Sequence, residues 1–191
     1  MIYIKDNFLD NEKFNALQLE LAGNEYKTVI QGGKEFHIQN THPEFIKYVE
    51  QLLGDIENKK VKSILSFFRL ADKDRDNDWR IHADNVINDQ LPERAIVLYM
   101  SKPPGNLSGT AFWSHYGEGY KLDSITNFNK ILSDDANDVS KWNLESIVGH
   151  KENRIVSYPC NYFHSKYPNE HISEREVFVM FYKTYEESKT K

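Results

Sequence analysis

The chain is expected to be mainly β, with helices backing a mostly antiparallel double sheet. Two observations carry this. Helical periodicity is confined to the first third of the 191 residues, and the rest is a series of short apolar runs, dense in aromatic and β-branched residues and broken by turns. A chain of this length fits one domain with a sizeable core.

The opening IYIKDNFL alternates and reads as a short strand. Asp10 then caps a helix over roughly NEKFNALQLELAG, with Phe14, Leu17 and Leu21 on one face and Gly23 as its stop. A second helix is expected near PEFIKYVEQLLG, with Pro43 in its first turn and Gly54 ending it. His37 and His42, between the two helices, are read as surface histidines in a loop. The expected strands are SILSFFRL, WRIHAD, RAIVLYM, GTAFWSHY, NRIVSY and EVFVMFYK. Several are apolar on both faces, as strands of a covered sheet are. The segment from about Leu122 to Glu152 reads as a polar, partly helical insertion. No repeat or linker divides the chain. We expect one domain over 1–191, with a helical N-terminal part at about 1–62 and a β core at about 63–183.

Charge and cysteine content narrow the functional classes. Lysine plus arginine number 24 against 29 acidic residues, a net charge of −5. With no sustained basic block, this argues against binding nucleic acid through its phosphates. The single Cys160 excludes an internal disulfide and fits a reducing compartment. No apolar run reaches membrane-spanning length, so a cytoplasmic protein is expected.

The stretch WRIHADN sets His82 and Asp84 two residues apart. In an extended chain both point to the same side, where an imidazole and a carboxylate can share a metal ion. A third ligand must come from elsewhere, and His164 in SYPCNYFHSKYP is the best candidate. Two histidines and one carboxylate are the donor set of non-haem Fe(II) oxygenases, which leaves three coordination positions open. The pair alone is weak, since a histidine hydrogen-bonded within a strand is the commoner occurrence.

The order of the surrounding blocks adds to it. HADN at 82–85, AIVLYMS at 95–101, SGTAFW at 108–113, and NRIVSYPCNYFH followed by EREVFVMFY together resemble the 2-oxoglutarate- and Fe(II)-dependent dioxygenases, in particular their prolyl-4-hydroxylase-like branch. The resemblance spans about residues 63–183. It implies a double-stranded β-helix, or jelly-roll, core, and it places His82, Asp84 and His164 as the iron ligands. It further implies that Arg175, eleven positions after His164, binds the C5 carboxylate of 2-oxoglutarate, an assignment that suits the planar fork of a guanidinium. Tyr99 matches a tyrosine that hydrogen-bonds the same carboxylate. Lys166 and Lys183 are weaker candidates for that role. The implied cofactors are Fe(II), 2-oxoglutarate as cosubstrate and O2, with hydroxylation of a peptide side chain or small molecule and release of succinate and CO2. The carboxylate of Asp84 argues against halogenation, because related halogenases carry a small residue there. Phe181 stands where DNA-repair members carry a second arginine, which again disfavours nucleic acid. A non-oxidative cupin-like metal enzyme and a catalytically silent jelly-roll binding domain remain the alternatives.

Other features attract weaker readings. DKDRDND at 72–78 lacks the glycine and glutamate of an EF-hand, having Asn77 and Ala83 at those positions, so it is read as a solvated loop that could cover the site. Cys160 is read as a small buried thiol. His115 is read as facing the substrate opening, and it and His171 are the fallback third ligands. Trp113, Tyr116 and the 117–150 insertion are expected to shape substrate choice.

Overall fold

The computed structural model describes residues 1–76, 78–84, 87–122, 129–168 and 173–186. Its elements run β1 (Tyr3–Lys5), α1 (Asn11–Ala22), β2 (Lys27–Gln31), β3 (Lys34–Asn40), α2 (Pro43–Glu57), β4 (Lys60–Ala71), β5 (Arg94–Tyr99), β6 (Gly109–His115), β7 (Trp142–Gly149), β8 (Ile155–Pro159), β9 (His164–Tyr167) and β10 (Arg175–Tyr185). Seven strands form one antiparallel sheet in the order β1-β8-β5-β10-β4-β3-β2, and three form a second in the order β7-β6-β9. The architecture is mainly β, as expected.

Alternation along the strands produces three layers. Ile96 and Leu98 of β5, with Phe178, Met180 and Tyr182 of β10, pack beneath the helices against Phe14, Leu17, Val49 and Leu53. The intervening residues Val97, Tyr99, Val177, Val179 and Phe181 face the other way, against Phe112 and Val148 of the small sheet. A third cluster covers the far side of the small sheet with Ala111, Trp113, Trp142 and Phe163. Main chains approach closely at Gly109, where an added Cβ would stand 2.2 Å from the Val148 carbonyl oxygen. A period of two thus sends each strand's side chains into two different cores.

Asp10 caps α1 by accepting the Lys13 N–H at 2.8 Å. The second helix outruns its expected end. It continues to Glu57 and stops at Asn58, whose backbone is left-handed at φ 52° and whose N–H returns to the Gly54 carbonyl. Gly54 is therefore interior, at a point where a Cβ would come within 3.1 Å of the Lys59 carbonyl oxygen.

Three further expectations change. The loop placed between the helices is the β2–β3 hairpin, turned by Gly32 and Gly33 at φ 57° and 73°. His37 lies on β3 and pairs with Glu35, while His42 caps α2. The polar insertion contains β7, the edge of the small sheet, alongside a single π-helical turn at Lys130–Asp134. The N-terminal third also contributes β1, β2 and β3 to the large sheet, so it is not solely helical. No helix among the described residues is long and apolar enough to cross a membrane.

Candidate metal centre

WRIHAD is not a ladder strand. Residues 81–84 run extended against β9 and are held at four points. His82 and His164 exchange both backbone hydrogen bonds, at 3.0 and 2.8 Å. Ile81 N–H donates to Ala136 O at 2.8 Å and Asp84 N–H to Cys160 O at 2.7 Å. Ile81 and Ala83 pack into the outer cluster with Trp113, Ile131 and Phe163. Extended backbone then turns His82 and Asp84 inward.

The three predicted ligands come together. Ligand atoms of His82, Asp84 and His164 all lie within 4.8 Å of one another. His82 Nε2 is 3.7 Å from one Asp84 oxygen, and His164 Nε2 is 3.4 Å from the other. Donors sharing an ion at bonds of about 2.0–2.2 Å stand roughly 3 Å apart at right angles, so small rotations close the set. The second ring nitrogens settle the tautomers. His82 Nδ1 faces Arg80 O at 3.0 Å and His164 Nδ1 faces Tyr162 O at 2.9 Å. A carbonyl only accepts, so both Nδ1 atoms carry the proton and both Nε2 lone pairs turn to the centre. Burial, with His164 adding to it, holds His82 well below the usual histidine range and hence neutral. Burial pushes the Asp84 carboxyl upward, against the pull of His164, Arg69 and Arg80. Asp84 Oδ2 is buried without a hydrogen-bond partner. A carboxylate oxygen left bare between two imidazole lone pairs fits a divalent cation.

Beyond the triad, the inner face of the large sheet turns polar. Arg175 opens β10, as the sequence suggests, and is buried. Its guanidinium lies 5.6 Å from the centre of the Tyr99 ring, and its Nε has no hydrogen-bond partner. Burial lowers its affinity for a proton, though a guanidinium stays charged throughout the working range. The Tyr99 hydroxyl lies 2.8 Å from Thr110 Oγ1 and 3.3 Å from Val148 O. Its ring stacks on His150 at 4.3 Å. His150 donates from Nε2 to Ser101 O at 2.8 Å, leaving Nδ1 buried and without a partner. Burial, then the nearby Arg175 charge, lowers His150 to about 4.

Sequence reasoning missed Arg69, Tyr158 and His150. Arg69 grips the Asp76 carboxylate with Nε and Nη2. Tyr158 on β8 stands beside the metal ligands, its ring 4.6 Å from that of His164. A charge inside the apolar run FFRLA was the available signal for Arg69. His150 directly follows a strand that the sequence did not reveal.

The weaker readings divide. His115 is buried on the outer side of the small sheet against Asp135 at 3.0 Å and edge-on to Trp142, so it does not face a substrate opening. Trp113 is buried in the same outer cluster and donates to Ser165 Oγ. Tyr116 is exposed. Cys160 is buried, and burial raises its thiol. The loop at 72–78 is pinned rather than merely solvated: Asp72 accepts the N–H groups of Asp74 and Arg75, and Asp76 is buried on Arg69. Lys183 pairs with Lys62 on β4, far along β10 from Arg175. Asn77, Asn85, His171 and residues 123–128 of the insertion lie outside the described residues.

This arrangement of sheets recurs in solved structures of 2-oxoglutarate-dependent non-haem iron oxygenases. The carbocyclase SnoK from nogalamycin biosynthesis is similar over 95% of this chain and 78% of its own, at 15% identity and a TM-score of 0.64. HygX from Streptomyces hygroscopicus, with nickel, 2-oxoglutarate and hygromycin B bound, matches over 95% and 82% at 12% identity and 0.62. A Pseudomonas putida prolyl-4-hydroxylase matches over 95% and 91% at 14% identity and 0.53. The likeness is one of fold. No family profile matches the chain, and no curated protein sequence does.

Proposed function

We propose that this chain is an Fe(II)- and 2-oxoglutarate-dependent oxygenase that hydroxylates a small molecule or a peptide side chain, and that its two facing sheets form a double-stranded β-helix. The observation that carries the reading is the convergence of His82, Asp84 and His164. Both Nε2 lone pairs and a partnerless carboxylate oxygen face one point, while a buried arginine with no carboxylate partner among the described residues stands on the same inner face. The fold shared with 2-oxoglutarate oxygenases supports it.

When bound, iron would activate O2 as the oxidant, with two electrons coming from 2-oxoglutarate as it is converted to succinate and CO2, and two from the substrate C–H bond. The chain's own residues hold and shield. The Arg80 and Tyr162 carbonyls keep the two imidazoles in the ligating tautomer. Asp84 contributes charge, and a cation beside it offsets the burial that otherwise raises its carboxyl. Arg175 pairs with the distal carboxylate of the cosubstrate, while Val156, Phe112 and Tyr158 exclude water around it. Cys160, buried and protonated, adds no competing thiolate next to the metal.

Anaerobic titration of the purified protein with Fe(II) and then 2-oxoglutarate tests the reading. A weak visible charge-transfer band should grow with the cosubstrate, and succinate should form slowly once air is admitted. Iron-loaded protein that gives neither would refute an oxygenase and leave a non-oxidative or silent metal site.

A further inference from the structure

The inner face carries more buried positive charge than Arg175 alone. Lys166 lies on β9 two residues past His164, on the same side of the strand and about 6.6 Å further from the metal centre. That step is comparable to the reach of a five-carbon dicarboxylate beyond its chelating end. Its cross-strand neighbour is Thr110, whose hydroxyl meets the Tyr99 hydroxyl from the opposite sheet at 2.8 Å. Tyr99 in turn lies beneath the Arg175 guanidinium. Lys166 and Arg175 therefore approach the same end of the interior from the two sheets.

Among the described residues no carboxylate lies within ion-pair distance of Arg175 or Lys166. The Lys166 ammonium is half-buried and donates to the main-chain oxygen of Asp76, which leaves two of its three protons unused. The Asp76 carboxylate is already held by the Arg69 fork. A buried and a half-buried charge without counter-ions among the described residues are costly to an empty site, and one incoming carboxylate can satisfy both.

We propose that Lys166 is a second cation for the distal carboxylate of the cosubstrate, facing Arg175 across the two sheets. The inference rests on the oxygenase reading above and goes beyond it, because it makes preference for a dicarboxylate the work of two residues from opposite sheets. The bland alternative is that Lys166 only pins the loop carrying Asp76.

Calorimetric titration of the nickel(II)-loaded full chain separates the two, with 2-oxoglutarate and with 2-oxopentanoate, which chelates identically but lacks the distal carboxylate. Lys166→Met should weaken 2-oxoglutarate about tenfold or more, the size of a charged hydrogen bond, and should change 2-oxopentanoate less than about threefold. Lys166→Arg should stay near the parent. An equal loss for both ligands, or no loss for either, overturns the proposal. A second measurement leaves Lys166 intact: Arg175→Ala should still prefer 2-oxoglutarate by about tenfold, and a complete loss of preference would equally overturn it. If the parent binds nickel but no 2-oxoglutarate, the oxygenase reading itself fails and takes this proposal with it. If the parent binds and Lys166→Met keeps its preference, only the proposal fails.

Discussion

On β10 the side chains of Phe178, Met180 and Tyr182 pack against the helices, while those of Arg175, Val177, Val179 and Phe181 look into the space between the sheets. The first face is closed by hydrocarbon and aromatic rings, with Phe178 edge-on to Phe45 at 5.1 Å. The second begins equally apolar at Phe181 and ends in charge at Arg175, with Arg69 and Tyr99 on the two adjacent strands and Tyr158 one strand beyond Tyr99. One strand thus serves stability on one side and chemistry on the other. Mutations on the two faces should therefore fail in opposite ways: the outer face should lose folding free energy, and the inner face should lose ligand while folding survives.

The metal ligands give the largest expected effect. Alanine at His82, Asp84 or His164 should abolish metal binding by calorimetry while the urea midpoint stays near that of the metal-free parent. His164 is buried and His82 and Asp84 are half-buried, and as polar groups their removal empties no apolar core. If His164→Ala binds iron as tightly as the parent, the third ligand is misassigned. If instead it unfolds the protein, the division between the two faces is wrong.

Phe178→Ala comes next and should do the reverse. It removes a fully buried ring from the helix-facing core, a loss of about 3–5 kcal/mol in a denaturation curve. The protein that remains folded should bind metal normally. A Phe178→Ala protein of unchanged stability but weakened metal binding would break the comparison.

How much of this was legible in the sequence follows from the same two faces. Strands β5 and β10 were visible because they are apolar on both sides, and His82 and Asp84 because an extended chain puts alternate residues together. The strand β7 was not, since half of WNLESIVG is exposed at a sheet edge and its apolar alternation breaks at Ser146. The β2–β3 hairpin hid for the same reason, every residue of β2 being exposed. The cluster of His82, Asp84 and His164 was legible as a set but its support was not. Residues 81–84 are held by hydrogen bonds to Ala136, Cys160 and His164, partners 55 to 82 positions away whose register no local pattern encodes. Likewise His115 looked like a site residue from its place after GTAFW, yet β6 turns it outward onto Asp135.

Arg175→Ala ranks third. Truncating one member of a buried charge pair typically costs about 2–5 kcal/mol, or roughly 30- to 5,000-fold in affinity. The metal-loaded variant should bind 2-oxoglutarate weaker by that range and keep its metal. Arg175→Lys should recover part of the loss, restoring charge without the fork. Without cosubstrate the urea midpoint should not fall, because the arginine is buried and among the described residues has no carboxylate to lose. A fall of several kcal/mol would place Arg175 with Phe178 as a packing residue.

Tyr99→Phe is the smallest expected effect and the most discriminating, because Tyr99 belongs to both faces' logic at once. Its ring is fully buried in the inner cluster and supports Arg175 at 5.6 Å, a contact that phenylalanine keeps. Its hydroxyl carries one proton and lies 2.8 Å from Thr110 Oγ1 and 3.3 Å from Val148 O on the small sheet, with the Arg175 guanidinium also close to it. Removing it deletes one neutral hydrogen bond between the sheets. The expected loss is about 0.5–1.5 kcal/mol, and it should divide according to where the hydroxyl acts. If the bond to Thr110 persists when cosubstrate is present, the loss appears in the urea midpoint and 2-oxoglutarate affinity changes by less than about threefold. If the hydroxyl swings to the distal carboxylate, the same loss appears as a drop of roughly threefold to tenfold in 2-oxoglutarate affinity, with 2-oxopentanoate unaffected. A loss above about 3 kcal/mol in either measurement exceeds one neutral hydrogen bond. It would mean that the ring had moved and carried Arg175 with it.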